Sequence, residues 1–301
     1  MQARSQQILD NHSLILQRII QINKRKQTAI SLVIDSSGRK LILKYCDTSN
    51  YECHLKFITE RDFYRANRSE FIPELIYSGN DYICTEYVDG MTLLDHLNVQ
   101  ELQADNTELV SQLYTIANYF KSNEYSDGTC NEFSNLFVEQ LSRLFNSGPW
   151  GVRRSLLEEV CFRLYWRMLK PFLIKKTKKI IKGNESKLRV THVHNDLHQN
   201  NILVTKANKL YLIDFENYAR GYCLLDLLYC MSTLYATGKV CRSTLISRLT
   251  KESESIPFFS CLLNVCFCTL QVNRKFYRSS TKNILLNLVK LSAFAWFGRK
   301  I

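Results

Sequence analysis

Glycine and proline are scarce in this chain, ten and four among 301 residues, and no low-complexity tract or internal repeat appears. That composition argues against disordered linkers and repeat architectures. The eleven cysteines are an odd number at irregular spacings, with no Cys-x-x-Cys pair. Such usage excludes a paired disulfide framework or a zinc ribbon and points to a reducing compartment. A signal-peptide pattern is also missing from the N-terminal residues, so a cytoplasmic location is expected. The uncharged stretch Ile256 to Val272 falls short of the about 20 apolar residues a membrane span needs and carries Pro257, Asn264 and Gln271. It is expected to form a buried helix in which Cys261, Cys266 and Cys268 are core thiols.

What is present begins with 46% hydrophobic residues, enough for a sizeable core in two lobes. Lysine and arginine number 40 against 28 aspartates and glutamates, leaving a net charge of +12 that favours anionic partners in general. Nucleic acid is not expected as the main partner, because no zinc-finger spacing, RNA-recognition signature or basic repeat accompanies the charge. The sharpest local excess lies in Phe172 to Lys182. There Leu173, Ile174, Thr177, Ile180 and Ile181 share one helical face, and Lys175, Lys178, Lys179 and Lys182 occupy the other. Gly183-Asn184 would end the helix. Two readings stand: a solvated face on a core helix, or peripheral contact with an anionic membrane at its inner face. The C-terminal run Phe294 to Ile301 fits an interface or a packed terminal helix equally well.

The most informative segment is His194-Asn195-Asp196-Leu197-His198-Gln199-Asn200-Asn201, followed by Asp214-Phe215-Glu216. Moving the γ-phosphoryl of ATP needs an oriented hydroxyl and divalent metal on the phosphates more than covalent work by protein. Asp196 can accept the hydroxyl proton. Asn201 offers a hard amide oxygen and Asp214 a carboxylate, a pair that suits Mg²⁺ better than a soft metal. Asn201 to Val204 and Leu210 to Ile213 are apolar β-rich runs joined by the polar turn Thr205 to Lys209, so these groups should lie at the ends of a hairpin. The rival reading is a transition-metal site built from His192, His194, Asp196 and His198.

His-x-Asp-Leu-His-x-x-Asn-Ile-Leu followed by Ile-Asp-Phe-Glu resembles the aminoglycoside phosphotransferase and choline kinase branch of the protein-kinase-like superfamily. Asp226 in Leu225-Asp226-Leu227 resembles that branch's later aspartate. The resemblance implies an α+β, two-lobed protein-kinase-like fold with a small β-rich N-lobe and a larger, mainly helical C-lobe. It implies ATP and Mg²⁺ as cofactors, with Asp196 catalytic, Asn201 and Asp214 holding metal, and His194 supporting the loop. His198 stands where protein-Ser/Thr kinases carry lysine, which favours a small-molecule acceptor. Protein-kinase activity is disfavoured further because Phe215-Glu216 departs from Asp-Phe-Gly and no Ala-Pro-Glu segment follows.

A kinase-like chain should open with a β-rich lobe, and residues 29 to 88 fit. Ala29 to Asp35 and Lys40 to Tyr45 flank the turn Ser36-Ser37-Gly38-Arg39. Lys44 on the second strand would reach the α and β phosphates, and Glu60, on a helix over Tyr51 to Asn67, would pair with it, with Glu52 as competitor. Phe71 to Gly79 and Tyr82 to Gly90 resemble the last small-lobe strands and hinge, where backbone near Glu86 and Val88 would meet adenine. One departure stands out: the turn Asn23-Lys24-Arg25-Lys26-Gln27-Thr28 has no glycine where a phosphate-covering loop belongs. Either the three basic side chains cover the phosphates, or the loop is displaced, or ATP handling is impaired.

The lobes are expected at 1–90 and 91–301, divided within Asp89 to Leu94, with Leu109, Leu113, Ile116 and Phe120 opening the helical lobe. The expected activity is ATP- and Mg-dependent phosphotransfer to a hydroxyl of a small molecule or sugar, including a lipopolysaccharide or other glycoconjugate precursor. Two alternatives stay open: a choline- or aminoglycoside-type kinase for a cationic acceptor, kept open by Glu216 and Asp226, and a catalytically dead binding module.

Overall fold

The computed structural model describes residues 2–24, 27–99, 111–113, 115–116, 126–127, 129–146, 156–182, 189–236, 261–262, 264–266 and 290. By contact density the chain forms two units. One holds Met1–His96, His194–Asp196 and Asn200–Ala219, and the other holds Leu97–Val193, Leu197–Gln199 and Arg220–Ile301.

The first unit begins with helix α1 (Gln2–Asn11) and the strands β1 (Ile15–Asn23), β2 (Thr28–Ile34) and β3 (Lys40–Cys46). Helix α2 (Tyr51–Ala66) follows, then β4 (Leu75–Ser78) and β5 (Tyr82–Glu86), and the five strands form one antiparallel sheet ordered β1-β2-β3-β5-β4. Strand alternation sets the faces. Val33, Leu41, Leu43, Tyr45 and Cys84 bury one side against Ile8, Leu9 and Leu14 from α1 and the segment after it. Lys44, paired across the sheet with Ile30 and Ile83, therefore stands on the other face. No motif in the sequence marks α1 or β1, yet α1 supplies apolar cover for that side of the sheet.

The β2–β3 turn forms where expected, with Gly38 at φ +83° and the Asp35 carboxylate accepting from the backbone N–H groups of Ser37 and Arg39, both at 2.9 Å. Helix α2 starts at Asn50, whose side chain accepts from the Cys53 amide at 3.2 Å. Its inward face is Phe57, Glu60, Phe63 and Tyr64, apolar but for one carboxylate.

A second antiparallel sheet in this unit joins β6 (Gly90–Thr92), β9 (Ile202–Thr205) and β10 (Leu210–Leu212). A Cβ at Gly90 would stand 2.6 Å from the Val204 carbonyl oxygen, so only glycine lets the chain leaving β5 press onto the hairpin.

In the second unit the described helices include Cys130–Asn146, Leu156–Ile181 and Cys223–Ala236, with a small sheet of β7 (Ser126–Asp127), β8 (Arg189–Val193) and β11 (Ala219–Tyr222). Leu173, Thr177 and Ile181 are fully buried, and Lys175, Lys179 and Lys182 exposed, so the two faces read from sequence are present. Leu113 and Ile116 are core, as are Leu262, Val265 and Cys266, whereas Leu109, Phe120, Cys268 and 294–301 lie outside the described residues. Among the described residues no helix is long and apolar enough to cross a membrane.

Candidate active site

An ammonium group on a sheet face needs a partner once it leaves water. The Lys44 side chain is only 13% exposed, and its Nζ donates to Glu60 Oε2 at 2.5 Å and to Asp214 Oδ1 at 2.9 Å. Burial works against the charged lysine, but the two carboxylates override it and hold its pKa well above the ordinary value. Burial pushes the Glu60 carboxyl up to about 7, against the pull of Lys44 and with Asp214 adding to the rise. Glu52, the competitor on the same helix, is exposed. Helical phase decides between them, since Glu60 shares the face of Phe57, Phe63 and Tyr64.

The β9–β10 hairpin sets Asn201 at its start opposite the residues just past its end. Leu212 pairs with Ile202, and just beyond that pair the Ile213 amide donates to the Asn201 carbonyl at 3.0 Å. Asn201 is buried, and its Nδ2 donates to the Asp196 carbonyl at 2.9 Å, which turns Oδ1 into the group's remaining acceptor. Nε2 of the fully buried His194 lies 3.0 Å from the Ile213 carbonyl oxygen. The histidine thus ties the catalytic-type loop to the end of β10. Asp196 and Asn201 bracket the loop, one half-buried and one buried.

Two non-glycine residues here hold left-handed backbone, Asp214 at φ +65° and Asn195 at φ +61°. Such conformations persist only where surroundings fix them. The Asn195 side chain donates to the Asn217 carbonyl at 3.1 Å. Beside Asp214, Phe215 is fully buried, stacked on Phe63 with ring centroids 3.7 Å apart and edge-on to Tyr64 at 5.6 Å. Both partners lie on α2, the helix that carries Glu60. The anchoring of Asp214 by an aromatic stack on α2 was not legible in sequence, though the Phe following Asp214 was its one signal.

Among the described residues no group of three or more His, Cys, Asp and Glu converges as a metal site, which removes the reading of His192, His194, Asp196 and His198 as transition-metal ligands. Asn201 and Asp214, at the two ends of the hairpin that the Ile213 amide closes on the Asn201 carbonyl, offer a hard amide oxygen and a hard carboxylate. That fits Mg²⁺, which keeps waters and phosphate oxygens in its shell, better than a metal needing a full protein cage.

Glu86 ends β5, its amide donating to the Glu74 carbonyl at 2.9 Å, and Val88 follows, buried. The Glu86 side chain also lines a polar cavity of about 390 Å³ with Arg68, Glu70, Glu74, Lys209 and Tyr211. That cavity includes none of Lys44, Asp196, Asn201 or Asp214 and is separate from their cluster. In the glycine-free turn, Gln27 takes φ +51°, its carbonyl accepts from the Asp47 amide at 2.9 Å and its Oε1 from the Ser49 hydroxyl at 3.0 Å. Lys24 is exposed, and Arg25 and Lys26 lie outside the described residues.

A sheet lysine paired with a helix glutamate, and a hairpin offering Asn201 and Asp214 below a His-x-Asp loop, define a protein-kinase-like α+β fold. Solved structures share it. A Plasmodium vivax ethanolamine kinase matches at 12% identity over 94% of this chain and 82% of its own, with a TM-score of 0.53. A choline kinase from Cryptosporidium parvum matches at 12% identity over 99% and 97%, TM-score 0.54. The streptomycin–ATP ternary complex of the aminoglycoside phosphotransferase APH(2")-IIa matches at 15% over 97% and 96%, TM-score 0.52. No curated protein sequence matches the chain. The model of the phosphotransferase enzyme family matches residues 31–245, and the chain belongs to that family. It is a kinase, a phosphotransferase with an alcohol group as acceptor.

Proposed function

We propose that the protein transfers the γ-phosphoryl of ATP, with Mg²⁺, to a hydroxyl of a small molecule or sugar. The observation that carries this is the joining of Lys44 to both Glu60 and Asp214, a charged lysine held on a sheet face beside an aspartate, which is the kind of group that meets nucleotide phosphates next to a metal. ATP is bound in a solved relative, the streptomycin–ATP complex.

In this reading the Asp196 carboxylate accepts the proton of the acceptor hydroxyl, whose oxygen attacks the γ-phosphorus as ADP leaves. Lys44, kept charged and in place by Glu60, contacts the α and β phosphates. Asn201 Oδ1 and the Asp214 carboxylate would hold Mg²⁺, which when bound neutralises charge on the phosphates. Backbone near Glu86 and Val88 would meet adenine. The residues of 1–90 supply the nucleotide-covering part and those of 91–301 the catalytic loop and acceptor site.

A sugar hydroxyl, as on a lipopolysaccharide or other glycoconjugate precursor, suits the net charge of +12, because phosphorylated or acidic acceptors are attracted and cationic ones repelled. A cationic acceptor is the second reading, favoured by structural relatives that are choline and ethanolamine kinases. The deciding experiment follows label from [γ-³²P]ATP with Mg²⁺ into polar-metabolite, lipid-linked and protein fractions of a cell extract, comparing wild type with Asp196→Asn. Label in one non-protein fraction with wild type alone supports the proposal and names the acceptor class, while label confined to protein, or independent of Asp196, contradicts it.

A further inference from the structure

The long helix Leu156–Ile181 carries a second feature beyond its buried face. At about 100° per residue, Leu164, Met168, Phe172, Lys175, Lys179 and Lys182 fall within one stripe. Trp166, Leu169, Leu173, Thr177 and Ile181 fall opposite and are buried. The stripe is open to solvent along its length: Leu164 is 57% exposed, Met168 59% and Phe172 45%, and Lys175, Lys179 and Lys182 are exposed beyond them. Pro171, also exposed, lies within the apolar half, next to Phe172. One helix face therefore runs from an apolar half into a cationic half, each about 10–12 Å long.

We infer that this face is a docking surface for an anionic lipid bilayer, lying in the headgroup plane with Leu164, Met168 and Phe172 entering the acyl boundary and the three lysines against anionic headgroups. A solvated helix would carry polar groups at 164, 168 and 172. The combination of exposed large apolar side chains with lysines on the same stripe is the pattern of interfacial helices, and the charge complements an anionic leaflet. Nucleic acid fits the lysines but offers no apolar environment for the exposed Leu164 and Met168. A second copy fits the apolar half but sets lysine against lysine. The absence of a membrane-crossing helix among the described residues is compatible with surface contact alone. This inference does not depend on the phosphotransferase reading, and its test uses no turnover.

The full chain is sedimented with phosphatidylcholine vesicles and with mixed phosphatidylcholine and phosphatidylglycerol vesicles, at low and at physiological salt. Binding to the anionic vesicles only is expected. Lys175→Glu/Lys179→Glu/Lys182→Glu lowers that affinity by about fivefold per lysine, on the order of a hundredfold together. Leu164→Ser/Met168→Ser/Phe172→Ser leaves weak binding that salt abolishes. Unchanged melting temperature and circular dichroism confirm that both variants fold, and the milder Lys179→Gln and Phe172→Ser serve where a triple variant does not. Failure of the wild type to sediment with anionic vesicles, or binding indifferent to both sets of variants, overturns the inference. So does binding of duplex DNA, or self-association lost on changing the apolar residues, without vesicle binding.

Discussion

Lys44 and Asp214 stand 170 positions apart in sequence and meet in an ion pair of 2.9 Å, with Glu60 closing the other side of the ammonium. One buried and one half-buried carboxylate around one lysine make a charge cluster whose parts are not interchangeable. Lys44→Met leaves Glu60 buried without its counter-charge and is expected to lower stability by about 3–5 kcal/mol. The double variant Lys44→Met/Glu60→Leu should recover most of that stability in chemical denaturation while phosphotransfer stays absent. Recovery of activity along with stability would show that the pair only holds the fold.

Glu60 gives the site a pH dependence with two opposed signs. Its carboxyl is raised by burial to about 7, above its unfolded value of about 4.5. The folded state thus holds this proton more tightly than the unfolded one. The associated stability is fully present below about pH 4.5 and is lost as pH rises through about 7. Nucleotide binding should run the other way, since an ionised Glu60 orients Lys44. The apparent KM for ATP is expected to fall as pH rises from 6 to 8, and Glu60→Gln should flatten both profiles.

Phe215 fixes the residue before it. Its ring is fully buried against Phe63 and Tyr64, so Phe215→Ala should destabilise by about 3–5 kcal/mol. At a temperature where the variant stays folded, kcat should still fall, because Asp214 loses the packing that holds its left-handed backbone. Phe215→Leu should keep more of the stability than of the turnover.

The contact at Gly90 predicts a backbone effect far from any reacting group. With 2.6 Å between a built Cβ and the Val204 carbonyl, Gly90→Ala must push β6 off β9, at about 1–3 kcal/mol. The loss should appear as faster amide exchange in Met91 and Val204 before any change in the rest of the first unit.

Metal withdrawal separates catalysis from folding. With Asn201 and Asp214 as the donors, chelation should abolish phosphotransfer and leave the melting temperature of the nucleotide-free protein unchanged. Asn201→Ala should raise the Mg²⁺ concentration needed for half-maximal rate by roughly 10-fold or more. A melting temperature that drops on chelation would point to a structural ion instead.

Much of this protein was written locally. The alternation of Leu41, Leu43 and Tyr45 around Lys44 defined a strand and its two faces, and the polar turn between Val204 and Leu210 defined the hairpin that aligns Asn201 with Asp214. Period and turn chemistry operate over a few residues, so they survive in a linear reading. The sequence named Glu60 as the partner of Lys44 with Glu52 as competitor, and the rotation α2 takes against the sheet and Phe215 removed the competitor. The tertiary structure alone decided that α1 covers one side of that sheet and that the long helix shows apolar and cationic halves on one solvent-facing stripe. Those outcomes depend on which surfaces remain uncovered once distant segments have packed, and no window along the sequence carries that information.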